Sequence, residues 1–199
     1  FTIADDVYDD LLKDTFRMLY LQRCGMELTA DLAGDFAHPI CHSQEAVIYG
    51  TDQKKTVSGG WHDAGDYGRY VVPGAQTVQD LLMTYEDFPE IWNGPDADNM
   101  GIPESGNGIP DILDEAAYEA FWLLKMQDGK TGAVYSGLTE ENQSLKLEEF
   151  DVETCQYFII AMAKFSYSMK KYDNVFATEC LRASDAAWKY IEALRISQK

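Results

Sequence analysis

Positive charge is what this chain has least of. Its 199 residues hold 16 lysines and arginines against 34 aspartates and glutamates, a formal charge of -18. Such a surface repels phosphate backbones, and no basic patch offsets it, so nucleic acid is excluded as a partner and anionic lipid is disfavoured. Long apolar runs are missing too. Nothing approaches the roughly 20 residues of a membrane helix, so no membrane association is expected. Cysteine is sparse: four residues cannot build the dense disulfide framework of a small stapled domain. The opening Phe1-Thr2-Ile3-Ala4 has neither an initiator Met nor a signal-peptide pattern. Phe1 is therefore expected to be a boundary left by processing or cloning. Linkers, low-complexity tracts and self-similar repeats are absent, which favours one domain over 1–199, or one part of a larger domain, over a solenoid.

What is present is helical periodicity. Apolar residues recur every three or four positions over 5–22 (Val7, Leu11, Leu12, Phe16, Leu19) and over 74–87 (Val78, Leu81, Leu82, Tyr85). Over 109–127, Pro110 suits a first turn, and Asp111, Asp114 and Glu115 suit the positive helix start. That helix is expected to bury Leu113, Ala117, Phe121 and Leu124. A fourth helix spans 151–171 through Val152, Cys155, Ile159, Met162 and Phe165. A fifth carries Phe176, Cys180, Ala183, Ala187, Ile191 and Leu194 behind capping residues Asp173-Asn174. Cys155 and Cys180 lie on apolar stripes and are expected to be buried free thiols. The pattern predicts an all-α toroid or bundle whose apolar faces want more partners than the chain supplies.

Between the helices run long loops at 24–72 and 88–108, and loops of that length in a compact domain usually carry function. The richest stretch is Gly59-Gly-Trp-His-Asp-Ala-Gly-Asp-Tyr-Gly-Arg-Tyr70. Asp63 and Asp66 stand three residues apart among turn-permitting glycines. Trp61, Tyr67 and Tyr70 can stack on a flat ligand face, and Arg69 can orient a carboxylate by a bidentate hydrogen bond. Close-set acids beside aromatics are what cleavage of a glycosidic bond requires, because carboxyl groups must activate water and protonate the leaving oxygen. Trp92, Tyr135 and Tyr49 are further candidates for sugar platforms. Cys24, Cys41, His42 and His62 form a tetrahedral zinc set by residue type, though not by spacing; a Cys24–Cys41 disulfide with free histidines is the alternative. His38 is expected to be an ordinary loop histidine. Asp96, Asp98, Asn99, Glu104, Asn107 and Asp111 offer hard oxygen ligands for calcium without the EF-hand spacing.

The segment Ser58–Val71 resembles the signature of family 9 glycoside hydrolases, the inverting endoglucanases and related cellulases. Ile102-Pro-Glu-Ser-Gly-Asn-Gly-Ile-Pro-Asp-Ile-Leu-Asp-Glu115 and Trp122-Leu-Leu-Lys-Met-Gln127 match as well. Tyr20–Gly25 with Gly34–His42 is similar to the subgroup that carries an immunoglobulin-like domain before the catalytic one. The resemblance implies an (α/α)6 barrel, of which this chain holds roughly the first five helices with long functional loops. It implies Asp66 as general base and Asp63 as its helper; Trp61, Tyr67, Arg69 and Tyr135 are the residues expected, from their types, to bind substrate. It also implies a structural zinc on Cys24, Cys41, His42 and His62, and a family habit of binding calcium. The expected substrate is a β-1,4-glucan or its oligosaccharides, hydrolysed with inversion outside the cell or at its surface. A β-glucosidase or exo-glucosaminidase activity, or a non-catalytic carbohydrate-binding protein, are the other readings. The family's general acid is a Glu near the far C-terminal end of the barrel. Glu104, Glu140 and Glu153 stand in the wrong part of the pattern to replace it. The remainder of the barrel is therefore expected from the same or another polypeptide, and the isolated chain is expected to be inactive.

Overall fold

The computed structural model describes residues 7–197. The opening four residues and the first two positions of the helix expected over 5–22 lie outside that range. Seven α-helices are present among the described residues: α1 Asp9–Leu21, α2 Ala30–Ala33, α3 Val71–Asp87, α4 Pro89–Trp92, α5 Asp111–Lys125, α6 Val152–Met169 and α7 Asn174–Ser197. The five expected helices are α1, α3, α5, α6 and α7; the two extra ones are single turns within the long loops. α6 lies between α3 and α7, and α5 packs on α3.

α5 is the centre of the core. Eleven of its fifteen residues are buried, from Asp111 to Leu123. Phe121 is a correction: it is 52% exposed and stacks on Phe176 at 3.9 Å between ring centroids. Val7, which precedes α1, and Leu11 and Val152, in the first turns of α1 and α6, are likewise exposed. Asp173 Oδ1 accepts the Val175 and Phe176 N–H groups, so the expected cap of α7 is made. Asp151 caps α6 in the same way through Thr154. Cys155 and Cys180 are buried free thiols.

The all-α expectation needs correcting, because a five-stranded sheet flanks the helices. Its strands are β1 Ala46–Ile48, β2 Lys54–Lys55, β3 Arg69–Tyr70, β4 Gly137–Glu141 and β5 Ser144–Leu147, in the order β2-β1-β5-β4-β3. β4 and β5 form a hairpin with Glu141 opposite Ser144. Its two loop residues, Asn142 and Gln143, both have positive φ (50° and 64°), the geometry of a type I′ turn. Alternation then sends Leu145 and Leu147 to the core and Ser144 and Lys146 to solvent. β3 leads directly into α3, so the 59–70 segment is held between sheet and helical core.

Candidate active turn and metal centre

The foundation of the site is a set of buried acids on α5. Glu115 accepts from Arg23 Nε at 3.1 Å and Nη2 at 3.0 Å, and from the Trp61 indole N–H at 2.8 Å. Glu104 takes two more bonds from the same guanidinium, both at 3.0 Å. Arg23 has no exposed surface and lies over the Tyr118 ring, 4.4 Å from its centroid. One turn further on, Glu119 Oε2 accepts the Trp61 backbone N–H at 2.9 Å. Burial pushes Glu119 up to about 8 and raises Glu115, whose ion pair with Arg23 opposes the shift. Glu115 was read above as a helix-start charge and Glu104 as a calcium ligand, and Glu119 was not singled out. Their real signal was the apolar composition all round α5, which marks a buried helix whose acids must find partners.

Two loop segments are clamped by this network. Cys24 N–H donates to the Gly60 carbonyl and His62 N–H to the Gln22 carbonyl, both at 2.8 Å. Gly60 has φ of 79°, and a Cβ there would fall 2.6 Å from the Trp122 ring. Only glycine lets the backbone lie flat on that indole.

From His62 the chain enters the turn that carries the acids. Asp63 N–H donates to the Gly68 carbonyl at 2.9 Å, Tyr67 N–H to Ala64 at 3.0 Å, and Gly68 N–H to Asp66 Oδ1 at 3.0 Å. Asp63 and Asp66 are both exposed at the mouth of this closed turn. Tyr67, 57% exposed with φ of 58°, sets its ring 5.1 Å from that of His62. Tyr70 and Trp61 line a small cavity of about 160 Å³ beside Asp63. Burial, together with the nearby carboxylates of Asp66, Asp63 and Glu148, raises the Tyr70 hydroxyl's pKa.

Cys24, Cys41, His42 and His62 converge, with one donor atom of each within 4.8 Å of the others. Cys24 Sγ lies 3.7 Å from Cys41 Sγ and 3.5 Å from His42 Nδ1, and Cys41 Sγ lies 3.5 Å from His62 Nε2. A disulfide needs about 2.05 Å, so the pair is two free thiols. A tetrahedral zinc, with bonds of about 2.3 Å to sulfur and about 2.05 Å to nitrogen, sets sulfurs about 3.8 Å apart and sulfur about 3.5 Å from nitrogen. The four residues fit that ion. The far ring nitrogens are also supported in the manner of metal-bound histidines. His42 Nε2 is 3.2 Å from Glu140 Oε2, and His62 Nδ1 is 3.4 Å from the Tyr67 carbonyl. The thiol–thiol contact pulls Cys41 down to about 2 and pushes Cys24 up.

A second cluster joins Asp98, Asp111 and Asp114. Asp98 accepts the Gly106 and Gly108 N–H groups, each at 2.7 Å. Asp111 Oδ2 accepts from Met100 N–H and Ser105 hydroxyl at 2.6 Å, while its buried Oδ1 has no partner among the described residues. Burial lifts Asp114 up to about 7. Of the four acids among the six expected calcium ligands, Asp98 and Asp111 belong to this cluster, and Asn107 Nδ2 donates to Asp114 Oδ2 at 3.0 Å. Asp96, Asn99 and Asn107 are exposed, and Glu104 is taken by Arg23.

Several expected ligand contacts are instead buried. Arg69 has no exposed surface and donates through Nη1 to the Gly59 carbonyl at 2.8 Å, so it braces the turn rather than reaching a ligand. Tyr135 (4% exposed) packs on Phe150, and Trp92 (1%) packs on Phe16. Trp61 reaches only the small cavity, with its indole N–H committed to Glu115. Tyr49 is open to solvent. His38 is half-buried in its loop, its backbone bridged to Leu28. No helix among the described residues is long and apolar enough to cross a membrane.

Known proteins share this architecture. The chain is 35% identical to a cellodextrinase of Butyrivibrio fibrisolvens over 96% of its own length and 37% of that protein's. It superposes on the structure of AaCel9A in complex with cellobiose-like isofagomine with a TM-score of 0.88 and 32% identity, covering 96% of this chain and 38% of that one. It also superposes on a zinc-binding triple mutant of the family 9 endoglucanase J30 (TM-score 0.86, 31% identity), covering 98% of this chain and 40% of that one. The chain thus spans about two fifths of the length of these relatives. Residues 8–199 match the family model described as glycosyl hydrolase family 9, and the chain belongs to that family.

Proposed function

We propose that this chain supplies the general-base half of an inverting glycosidase site that cleaves β-1,4-glucosidic bonds in cellulose or related β-glucans. The observation that carries this reading is the 63–68 turn, which offers two exposed carboxylates while the Gly68 N–H holds Asp66 Oδ1. A water lodged against Asp66 attacks the anomeric carbon and gives its proton to that carboxylate as the glycosidic C–O bond breaks. Asp63 holds the same water from the side. The leaving oxygen takes its proton from a general acid, which inversion requires about 6.5–9.5 Å from the base. Glu104 and Glu140 are engaged by Arg23 and His42. The acid therefore comes from elsewhere in an (α/α)6 barrel to which the five long helices here contribute, and residues 1–199 alone do not turn over glucan. The names of the relatives, a cellodextrinase and an endoglucanase, support the substrate class. So does the cellobiose-like ligand of AaCel9A. A polymeric substrate places the enzyme outside the cell or at its surface.

Zinc is the ion proposed for Cys24, Cys41, His42 and His62. Four protein ligands leave no open position, so its contribution is a cross-link between the N-terminal loop and the acid-bearing turn. Calcium is proposed for Asp98, Asp111 and Asp114, where the unpartnered Asp111 Oδ1 is a hard oxygen in want of a cation.

Proton NMR of the first product released from a cello-oligosaccharide by the full barrel tests the mechanism. The α-anomer appears first if attack is by water activated at Asp66; a β-anomer appearing first overturns inversion. Asp66→Ala is expected to abolish release of either.

A further inference from the structure

Glu140 stands where the alternation of β4 would put an apolar residue. Leu138 pairs with Leu147 and Glu140 with Leu145, and residues opposite one another share a face of the sheet. Leu138, Leu145 and Leu147 are buried, so the Glu140 side chain belongs to the core face, at its rim. Its neighbour Glu141 faces the other way and pairs with Lys146. A carboxylate on an apolar face needs a partner. Glu140 Oε2 has one in His42 Nε2 at 3.2 Å, with the two side chains only 31% and 14% exposed.

The other nitrogen of that ring, Nδ1, faces the thiols, 3.5 Å from Cys24 Sγ. The His42 backbone has φ of 46°, a left-handed conformation that a residue with a side chain keeps only where its surroundings hold it. The ring is held from both sides, by the metal quartet at Nδ1 and by Glu140 at Nε2. A carboxylate so placed keeps the proton on Nε2, which leaves the Nδ1 lone pair for an ion and makes it a stronger donor.

The hairpin carries this contact towards the acids. β3 pairs on β4 with Arg69 opposite Leu138, two residues from Glu140. Gly68, the end of the acid-bearing turn, leads straight into β3. The start of the turn is held by His62, which precedes Asp63 and sets its Nδ1 3.4 Å from the Tyr67 carbonyl. The hairpin needs an outside hold, because its two loop residues, Asn142 and Gln143, take positive φ without being glycine. We propose that Glu140 is a positioning residue of the metal centre: it orients the His42 ring towards zinc and, through β4 and β3, carries the hold of the quartet to the far end of the Asp66 turn. The role rests on the reading that Cys24, Cys41, His42 and His62 take zinc.

Chelator competition and cobalt(II) substitution, on the native protein, Glu140→Ala and Glu141→Ala, test this role. Glu140→Ala is expected to weaken zinc about 10- to 100-fold, and Glu140→Gln, which keeps an acceptor without the charge, by less. The visible bands of bound cobalt(II) are expected to shift in Glu140→Ala, because the donor strength of His42 changes, and to stay in place in Glu141→Ala. A loss of packing alone would not move those bands. Amide hydrogen exchange reads the coupling: stripping the metal from native protein is expected to speed exchange along β3 and β4, and Glu140→Ala to speed the same amides with metal bound. Zinc affinity within about twofold of native in Glu140→Ala, or an equal loss in Glu141→Ala, overturns the role of Glu140 and leaves the zinc reading standing. Exchange along β3 and β4 that ignores the metal overturns the link to the turn. Native protein that binds neither zinc nor cobalt overturns both readings.

Discussion

Gly60 shows how little freedom single positions have around the acid-bearing turn. Its φ is 79° and the Trp122 ring occupies the space a Cβ would need. Gly60→Ala therefore combines backbone strain with overlap, and a loss of about 2–4 kcal/mol is expected in chemical denaturation. The same change is expected to weaken metal binding, because the Gly60 carbonyl anchors Cys24. The ligands themselves give a cleaner test. Cys41→Ser or His62→Ala is expected to abolish stoichiometric zinc in elemental analysis and to lower Tm by several degrees. A native protein that carries no zinc would remove the proposed cross-link. For the acidic cluster, added calcium is expected to raise Tm in the native protein and not in Asp111→Asn.

At the scale of elements, α5 couples the core to the site through Glu115 and Glu119. Glu119 is buried and sits at about 8 in the folded protein against 4.5 ordinarily. The folded protein keeps a proton that the unfolded chain releases, so this group's stabilisation is present at low pH and is lost as pH rises from about 4.5 to 8. The loss is on the order of 4 kcal/mol. Glu119→Gln keeps an acceptor for the Trp61 N–H and removes the titration, so its unfolding free energy should fall less than the native protein's between pH 5 and 8. Parallel curves would show that Glu119 is ionised throughout. The helices were legible in the sequence because α3, α5, α6 and α7 have strong three-to-four periodicity. The β4–β5 hairpin was not, since Asn142-Gln143 lacks the glycine that usually marks a type I′ turn. Among site residues, the convergence of Cys24, Cys41, His42 and His62 was legible from residue type, though not from spacing. The Arg23–Glu104–Glu115 clamp was not, because a charged side chain is ordinarily read as surface until its burial is known. Arg69 failed in the opposite direction: a cation beside acids suggested a ligand contact, but strand β3 turns it inward.

At the scale of the whole molecule, the surface has two characters. The excess of acid disfavours polyanions electrostatically and leaves neutral polymers unopposed. Exposed apolar side chains also stand on α6 and α7, among them Ile160, Tyr167, Leu181 and Trp188, at seven-residue spacing on each helix. Such stripes fit further helices of an (α/α)6 barrel packing against them. Residues 1–199 alone are accordingly expected to release no reducing sugar from soluble cellulose derivatives. The central claim, that Asp66 is the general base, is tested most directly by the hydrolysis rate of the full barrel with Asp66→Asn. The account predicts a fall of at least about 10³-fold, with secondary structure and zinc content unchanged; a rate within tenfold of the native enzyme would contradict it.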